Sequence, residues 1–322
     1  MENLIYQMFI LGTGGVNNIY IKQALNKGLG GVIYFTRDIN TKEQFKSLIA
    51  EHASEALIPP FFSIDQEGGR VERTENIHKR YLSPKFAYQK GIDYLEKQTQ
   101  EIANELKEYG INLNFAPCAD VNTNPDNPII GERAFSDNKE DVIKGVKIVS
   151  ETYRQNGIIP CVKHYPGHGD ADKDSHLTLP QIDLPLEKME EIHIAPFKAA
   201  VDNNIEMIMA AHLHCTCFDK EVIPASLSKN AISYLRNNLG YDGVIISDDM
   251  VMKGVQDYGS LEAILMGIQA GLDMFIFRDA DKNTIDTINE LVKIVSEDNE
   301  LTECVIKSNQ RIKKLKERYN IL

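Results

Sequence analysis

Short apolar runs recur along the 322 residues, each followed by a polar loop and then a stretch of helical periodicity. They lie at Gly31 to Phe35, Phe61 to Asp65, Asn112 to Ala116, Ile158 to Lys163, Glu206 to Ala211, Gly243 to Asp248 and Asp273 to Phe277. Continuous apolar strands, rather than alternating ones, are buried on both faces, and with helices between them they form a parallel sheet. The amphipathic stretches are Tyr94 to Tyr109, Asp141 to Asn156, Leu186 to Asn203, Ser228 to Leu239 and Leu261 to Ala270, with Ser228 placed to cap its helix. Seven strands are clear, and an eighth comes from Ile5 to Gly12, a segment that also suits a helix. Eight such units close a TIM-type (β/α)8 barrel, an α/β fold to which this length is ordinary. A doubly wound open sheet is the alternative, but G-T-G-G at Gly12 to Gly15 lacks dinucleotide-loop spacing and reads as a turn. No linker divides the chain, so residues 1–322 are expected to form a single domain. From Leu301 to Tyr319, Leu301, Val305, Ile312 and Leu315 share one helical face, and the Lys and Arg residues are expected on a solvated outer face.

Composition narrows the function. A formal net charge of -12 is the wrong sign for a nucleic-acid binder. The N-terminus lacks the basic region and cleavage site of a signal peptide, and no stretch has the ~18 apolar residues of a membrane span. Five Cys with no framework spacing point to reduced thiols and a cytoplasmic protein.

Barrels of this kind place their chemistry at the C-terminal ends of the strands. There the sequence sets Asp65, with Arg70 and Arg73 nearby; Asp120 and then G-E-R at Gly131 to Arg133; Lys163, His164, Asp174 and His176; His212 and His214; and the adjacent pair Asp248 and Asp249. The densest of these segments is K-H-Y-P-G-H-G-D-A-D-K-D-S-H, Lys163 to His176, which Pro166, Gly167 and Gly169 keep from being a helix. Any one of these residues alone fits a helix cap or a structural ion pair. Their convergence from five strand ends is what points to a site.

A metal centre built from His164, His168, His176, His212 and His214 is the rival reading. H-Y-P-G-H, however, cannot align its two His along a helix, and Cys215 and Cys217 are too close together for the usual zinc knuckle. No metal or other cofactor is therefore expected.

Five segments resemble family 3 glycoside hydrolases, most closely the β-N-acetylglucosaminidases of peptidoglycan turnover and recycling (the NagZ type). They are I-D-Q-E-G-G-R-V at Ile64 to Val71, G-E-R-A-F at Gly131 to Phe135, the Lys163 to His176 segment, P-A-S-L-S at Pro224 to Ser228, and S-D-D-M at Ser247 to Met250. The resemblance implies a TIM barrel in its single-domain form and a retaining mechanism. It implies Asp248 as nucleophile, His176 as general acid/base with Asp174 as its partner, and Asp65, Arg73, Arg133, Lys163 and His164 holding an N-acetylglucosamine ring. The expected partner is a small carbohydrate, a muropeptide or disaccharide carrying N-acetylglucosamine, with no nucleic acid and no membrane. Asp249 receives no catalytic role. Retaining hydrolysis needs an attacking carboxylate and a proton donor, and an imidazole beside a carboxylate can supply the second. Three alternatives stay open: a phosphorylase using the same site, a metal-dependent hydrolase and a non-catalytic sugar-binding barrel.

Overall fold

The computed structural model describes residues 1–15, 18–171 and 179–322. Eight parallel strands close a barrel: β1 (Phe9–Gly12), β2 (Gly31–Tyr34), β3 (Phe61–Ile64), β4 (Leu113–Asn114), β5 (Ile159–Tyr165), β6 (Met207–Ala210), β7 (Val244–Asp249) and β8 (Met274–Phe277). Each pairs with its neighbours in sequence, and β8 returns to β1 through Phe9↔Phe275. Their residues are buried almost throughout, which is why each reads as an unbroken apolar run. The N-terminal segment divides: Glu2–Tyr6 is helical and Phe9–Gly12 is the eighth strand.

Two irregularities fall where functional residues were expected. Between β5 and β6 the register passes from Val162↔Ile208 to Tyr165↔Ala210, which leaves an extra residue on β5 around Lys163 and His164. Between β7 and β8 it passes from Met274↔Ile246 to Ile276↔Asp249, with the extra residue on β7 around Ser247 and Asp248. Consecutive strand residues normally point to opposite faces, and a bulge re-aims them. Lys163 with His164, and Asp248 with Asp249, thus all reach the same opening.

Helices cover the barrel much as expected. Ile92–Tyr109 ends at Gly110, whose φ of 91° suits a residue without Cβ. Asn138 caps Lys139–Gln155, and the Ser228 hydroxyl accepts from the Ala231 N–H at 2.9 Å, as its capping role requires. The stretch Leu186 to Asn203 is not one helix. A widened turn at Met189–His193 separates Leu186–Lys188 from Ala195–Asp202, because Pro196 lacks an N–H and crowds the preceding turn. On the C-terminal helix Asn299–Arg318, Leu301, Val305, Ile312 and Leu315 are buried as expected. Lys316 is not on a solvated face. It is fully buried, donates to Gln7 Oε1 and the Pro59 carbonyl at 2.8 Å, and sits 5.0 Å above the Phe61 ring. All five Cys are free thiols, and among the described residues no helix is long and apolar enough to cross a membrane.

Candidate active site

The C-terminal mouth of the barrel holds a cleft of about 450 Å³. Asp65, Arg73, Arg133, Lys163, His164 and Asp248 all line it, so six of the expected residues come together from β5, β7 and the loops after β3 and β4. Asp174 and His176 lie outside the described residues.

The floor is an ion-pair network. Lys163 Nζ stands 2.6 Å from Asp65 Oδ1 and 2.6 Å from Glu67 Oε1. Arg133 clasps Glu67 in two parallel bonds, Nε to Oε2 at 2.9 Å and Nη2 to Oε1 at 2.8 Å. Burial pushes the Glu67 carboxyl up, and Arg133 and Lys163 outweigh it, holding the group far below the usual carboxylate range. Burial lowers the Lys163 pKa, but Asp65 and Glu67 raise it above its ordinary value.

Glu67 was not singled out from the sequence. It lies inside D-Q-E-G-G-R, two residues after Asp65, and this spacing on extended backbone was the available signal that both carboxylates share a face. Arg70 does not enter the network. Its guanidinium donates to the Pro128 and Ile129 carbonyls, tying this loop to the one carrying Arg133. Arg73 lies 5.7 Å from the Phe35 ring centroid, and its buried Nε has no partner among the described residues.

His164 is fixed from two sides. Asp120 Oδ2 lies 2.8 Å from Nδ1, and Arg133 Nη2 lies 3.3 Å from Nε2. Arg can only donate, so Nε2 accepts and the proton resides on Nδ1, which donates to Asp120. The second Asp120 oxygen accepts the His168 N–H at 2.6 Å, which moors the turn after β5. Gly169 lets that turn approach: a Cβ there would meet the Val121 carbonyl at 1.8 Å. The His168 ring is buried, neutral and without hydrogen bonds among the described residues, its pKa pushed down by burial to about 4.

Asp248 is half-buried at the cleft wall, and its carboxyl is ionised. Burial raises its pKa, while His164, His212, the Asp249 N–H and Lys163 together hold it below the ordinary value. Its Oδ1 accepts the Asp249 N–H at 2.7 Å. Asp249 turns to structural work: it pairs with Arg278 and accepts the Val251 N–H at 3.2 Å, capping the turn after β7. His212 holds that turn from below. Its Nε2 donates to the Asp249 carbonyl at 3.1 Å, and Nδ1 accepts from Ser226 at 2.7 Å.

His176 lies outside the described residues, and the other four His, His164, His168, His212 and His214, are not grouped together as metal ligands. The one cluster of metal-ligating type among the described residues is Cys118, Asp120 and His164, with ligand atoms within 4.8 Å of one another. Its geometry is that of proton donors around an acceptor: the Cys118 thiol, at 3.0 Å, and His164 Nδ1 both donate to Asp120 Oδ2. A metal would need the thiolate, and burial together with Asp120 pushes the thiol well above its ordinary pKa.

The profile of the glycosyl hydrolase family 3 N-terminal domain matches residues 3–315. A β-hexosaminidase A of Pseudoalteromonas piscicida is 33% identical over 285 residues, 80% of this chain and 47% of that protein. A β-hexosaminidase of Methylococcus capsulatus is 33% identical over 270 residues, covering 81% of this chain and 79% of the relative. Among solved structures, a family 3 β-N-acetylglucosaminidase of Paenibacillus sp. FPU-7 superposes with a TM-score of 0.93 at 29% identity, over 100% of this chain and 63% of that one. The chain thus spans about half to four-fifths of the length of these relatives.

Proposed function

The chain belongs to glycosyl hydrolase family 3, and from that membership we propose that it is a retaining β-N-acetylhexosaminidase that removes terminal N-acetylglucosamine from peptidoglycan-derived fragments. The observation that carries the reading is Asp248, a half-buried carboxyl held ionised in the same cleft as the Asp65–Lys163–Glu67–Arg133 floor. The hexosaminidase names of the relatives, and the Paenibacillus enzyme's acetamido substrate, support it.

In this reading residues 1–322 act as one catalytic domain in the cytoplasm. The sugar lies on the floor, where Asp65 accepts from its hydroxyls and Lys163, Arg133 and Arg73 donate to them. Asp248 attacks the anomeric carbon as the leaving oxygen takes a proton from His176, whose imidazolium form Asp174 favours. The covalent glycosyl–Asp248 ester is then cleaved by water, which gives its proton back to His176, so two inversions retain configuration. No residue role here calls for a metal or other cofactor.

The test is turnover of an aryl N-acetylglucosaminide beside the matching aryl glucoside, and of a muropeptide disaccharide, each with and without inorganic phosphate. Fast release of N-acetylglucosamine from the acetamido substrates, independent of phosphate and of chelators, is expected. Equal turnover of the glucoside would overturn the substrate, and a sugar 1-phosphate product would make the protein a phosphorylase.

A further inference from the structure

Glu67 takes no part in the chemistry above, yet it is the most enclosed charge of the floor. Its side chain is 1% exposed, against 2% for Lys163, 10% for Arg133 and 18% for Asp65. Asp65, Lys163 and Arg133 line the cleft, and Glu67 stands behind them. It touches both cations at once, Lys163 at 2.6 Å and Arg133 at 2.8 and 2.9 Å. With Glu67 the groups proposed to meet the sugar balance: Lys163, Arg133 and Arg73 stand against Asp65, Asp248 and, behind them, Glu67. Without it, Lys163 keeps Asp65 but Arg133 loses its carboxylate partner, and a surplus positive charge faces the cleft where little water screens it.

We infer that Glu67 sets the specificity of this floor for a neutral, hydroxyl-bearing ring, by neutralising from behind the two cations that point at it. The inference rests on the reading that a sugar ring occupies the floor. A bare Lys–Arg pair is a good anion site, since a guanidinium and an ammonium match the oxygens of phosphate, sulfate or a carboxylate. Glu67 occupies those donors. The N–H groups left over donate to hydroxyls without carrying net charge toward the ligand. Glu67 also fixes where the donors point, because a carboxylate that bridges two cations constrains both. It is therefore a positioning residue with two separable effects, one of charge and one of reach.

Two substitutions separate them. Glu67→Gln keeps the shape and removes the charge, and Glu67→Asp keeps the charge but is too short to span both cations. Binding of inorganic phosphate, sulfate and N-acetylglucosamine to the whole chain would be measured by calorimetry, with kcat and KM on an aryl N-acetylglucosaminide and a melting curve for each protein. Wild type should bind neither anion in competition with the sugar. Glu67→Gln should acquire phosphate and sulfate binding that the sugar competes away, and its KM should rise about 10- to 100-fold, the loss expected for one charge-assisted contact, with a smaller change in kcat. Glu67→Asp should raise KM while still excluding both anions. A folded Glu67→Gln that ignores phosphate, or a wild type that binds it as tightly at the floor, would overturn the inference. Should Glu67→Gln not fold, Glu67→Asp decides: raised KM without anion binding supports the inference, and anion binding overturns it. Calorimetry needs no turnover, so an inactive wild type would sink the proposed reaction and leave the anion measurement standing.

Discussion

Asp120 Oδ2 lies 2.8 Å from His164 Nδ1, so the orientation of the imidazole in the cleft is set from the loop after the neighbouring strand β4. The same carboxylate accepts the His168 N–H and the Cys118 thiol, so one acid positions three parts of the site. Burial raises the Asp120 pKa, but His164 and His168 lower it further, and it stays ionised throughout the neutral range.

Replacing Asp120 by Asn keeps the size and removes the charge. The Nδ1–H of His164 loses its charged acceptor while Arg133 still donates to Nε2, so the tautomer is kept but the ring is held less firmly. We expect kcat/KM to fall about 10- to 100-fold, in line with the loss of a charge-assisted hydrogen bond. Nitrogen NMR of His164 should show the Nδ1–H tautomer retained with a weakened Nδ1–H hydrogen bond in the variant. An unchanged ring signal with reduced activity would mean that Asp120 acts by another route.

The barrel was legible in the sequence because strands buried on both faces leave continuous apolar runs, and the order of those runs is the order of the sheet. Asp65, Lys163, His164 and Asp248, which line the cleft, were legible because each stands at the end of such a run, whereas Arg73 and Arg133 sit along loops and were named from their motifs. Other features were hidden by tertiary context. Glu67 follows Asp65 off the end of β3, and its partners come from β5 and a distant loop. The break at Met189–His193 depends on how one helix meets Pro196. Lys316 is four residues after Ile312, so helical periodicity puts it on the buried face; its charge alone argued for the outside. The bulges that aim Lys163 and Asp248 are visible only as strand register.

Asp248→Ala should abolish turnover and leave affinity for N-acetylglucosamine within about tenfold, since an attacking carboxylate acts mainly in the chemical step. A slow fluorinated substrate should leave its glycosyl group on the peptide that contains Asp248. An adduct on Asp65 or Asp249, or a product of inverted configuration, would refute the assignment.

For the proposed dyad, His176→Ala should impair substrates with alkoxide leaving groups severely, because those groups need a proton. Aryl glycosides with acidic leaving groups should lose far less in the first step. Asp174→Ala should lower activity and move the pH profile, as the charge favouring imidazolium is gone. Both variants would be compared across a series of aryl N-acetylglucosaminides. An equal first-step loss at every leaving group would make His176 a binding or structural residue, with another group as the acid.

Lys316 gives a pH dependence of stability rather than of activity. Burial pushes its pKa from an ordinary 10.5 down to about 7. Below about pH 7 folded and unfolded chains both hold the proton, so the cost of burying the charge is fully present. Between about 7 and 10.5 the unfolded chain binds more protons than the folded one, and stability rises with pH through that window. Lys316→Met removes the titration while keeping a long side chain against Phe61, though it leaves Gln7 Oε1 and the Pro59 carbonyl without this donor. The lost hydrogen bonds set a constant offset between the two proteins, and the titration sets the slope. Denaturant unfolding of both from pH 6 to pH 10 should therefore show wild type gaining on Lys316→Met as pH rises, with the gain concentrated above about pH 7. A difference that stays flat across this range would show that the two carbonyls and the Phe61 face hold Lys316 charged in spite of its burial.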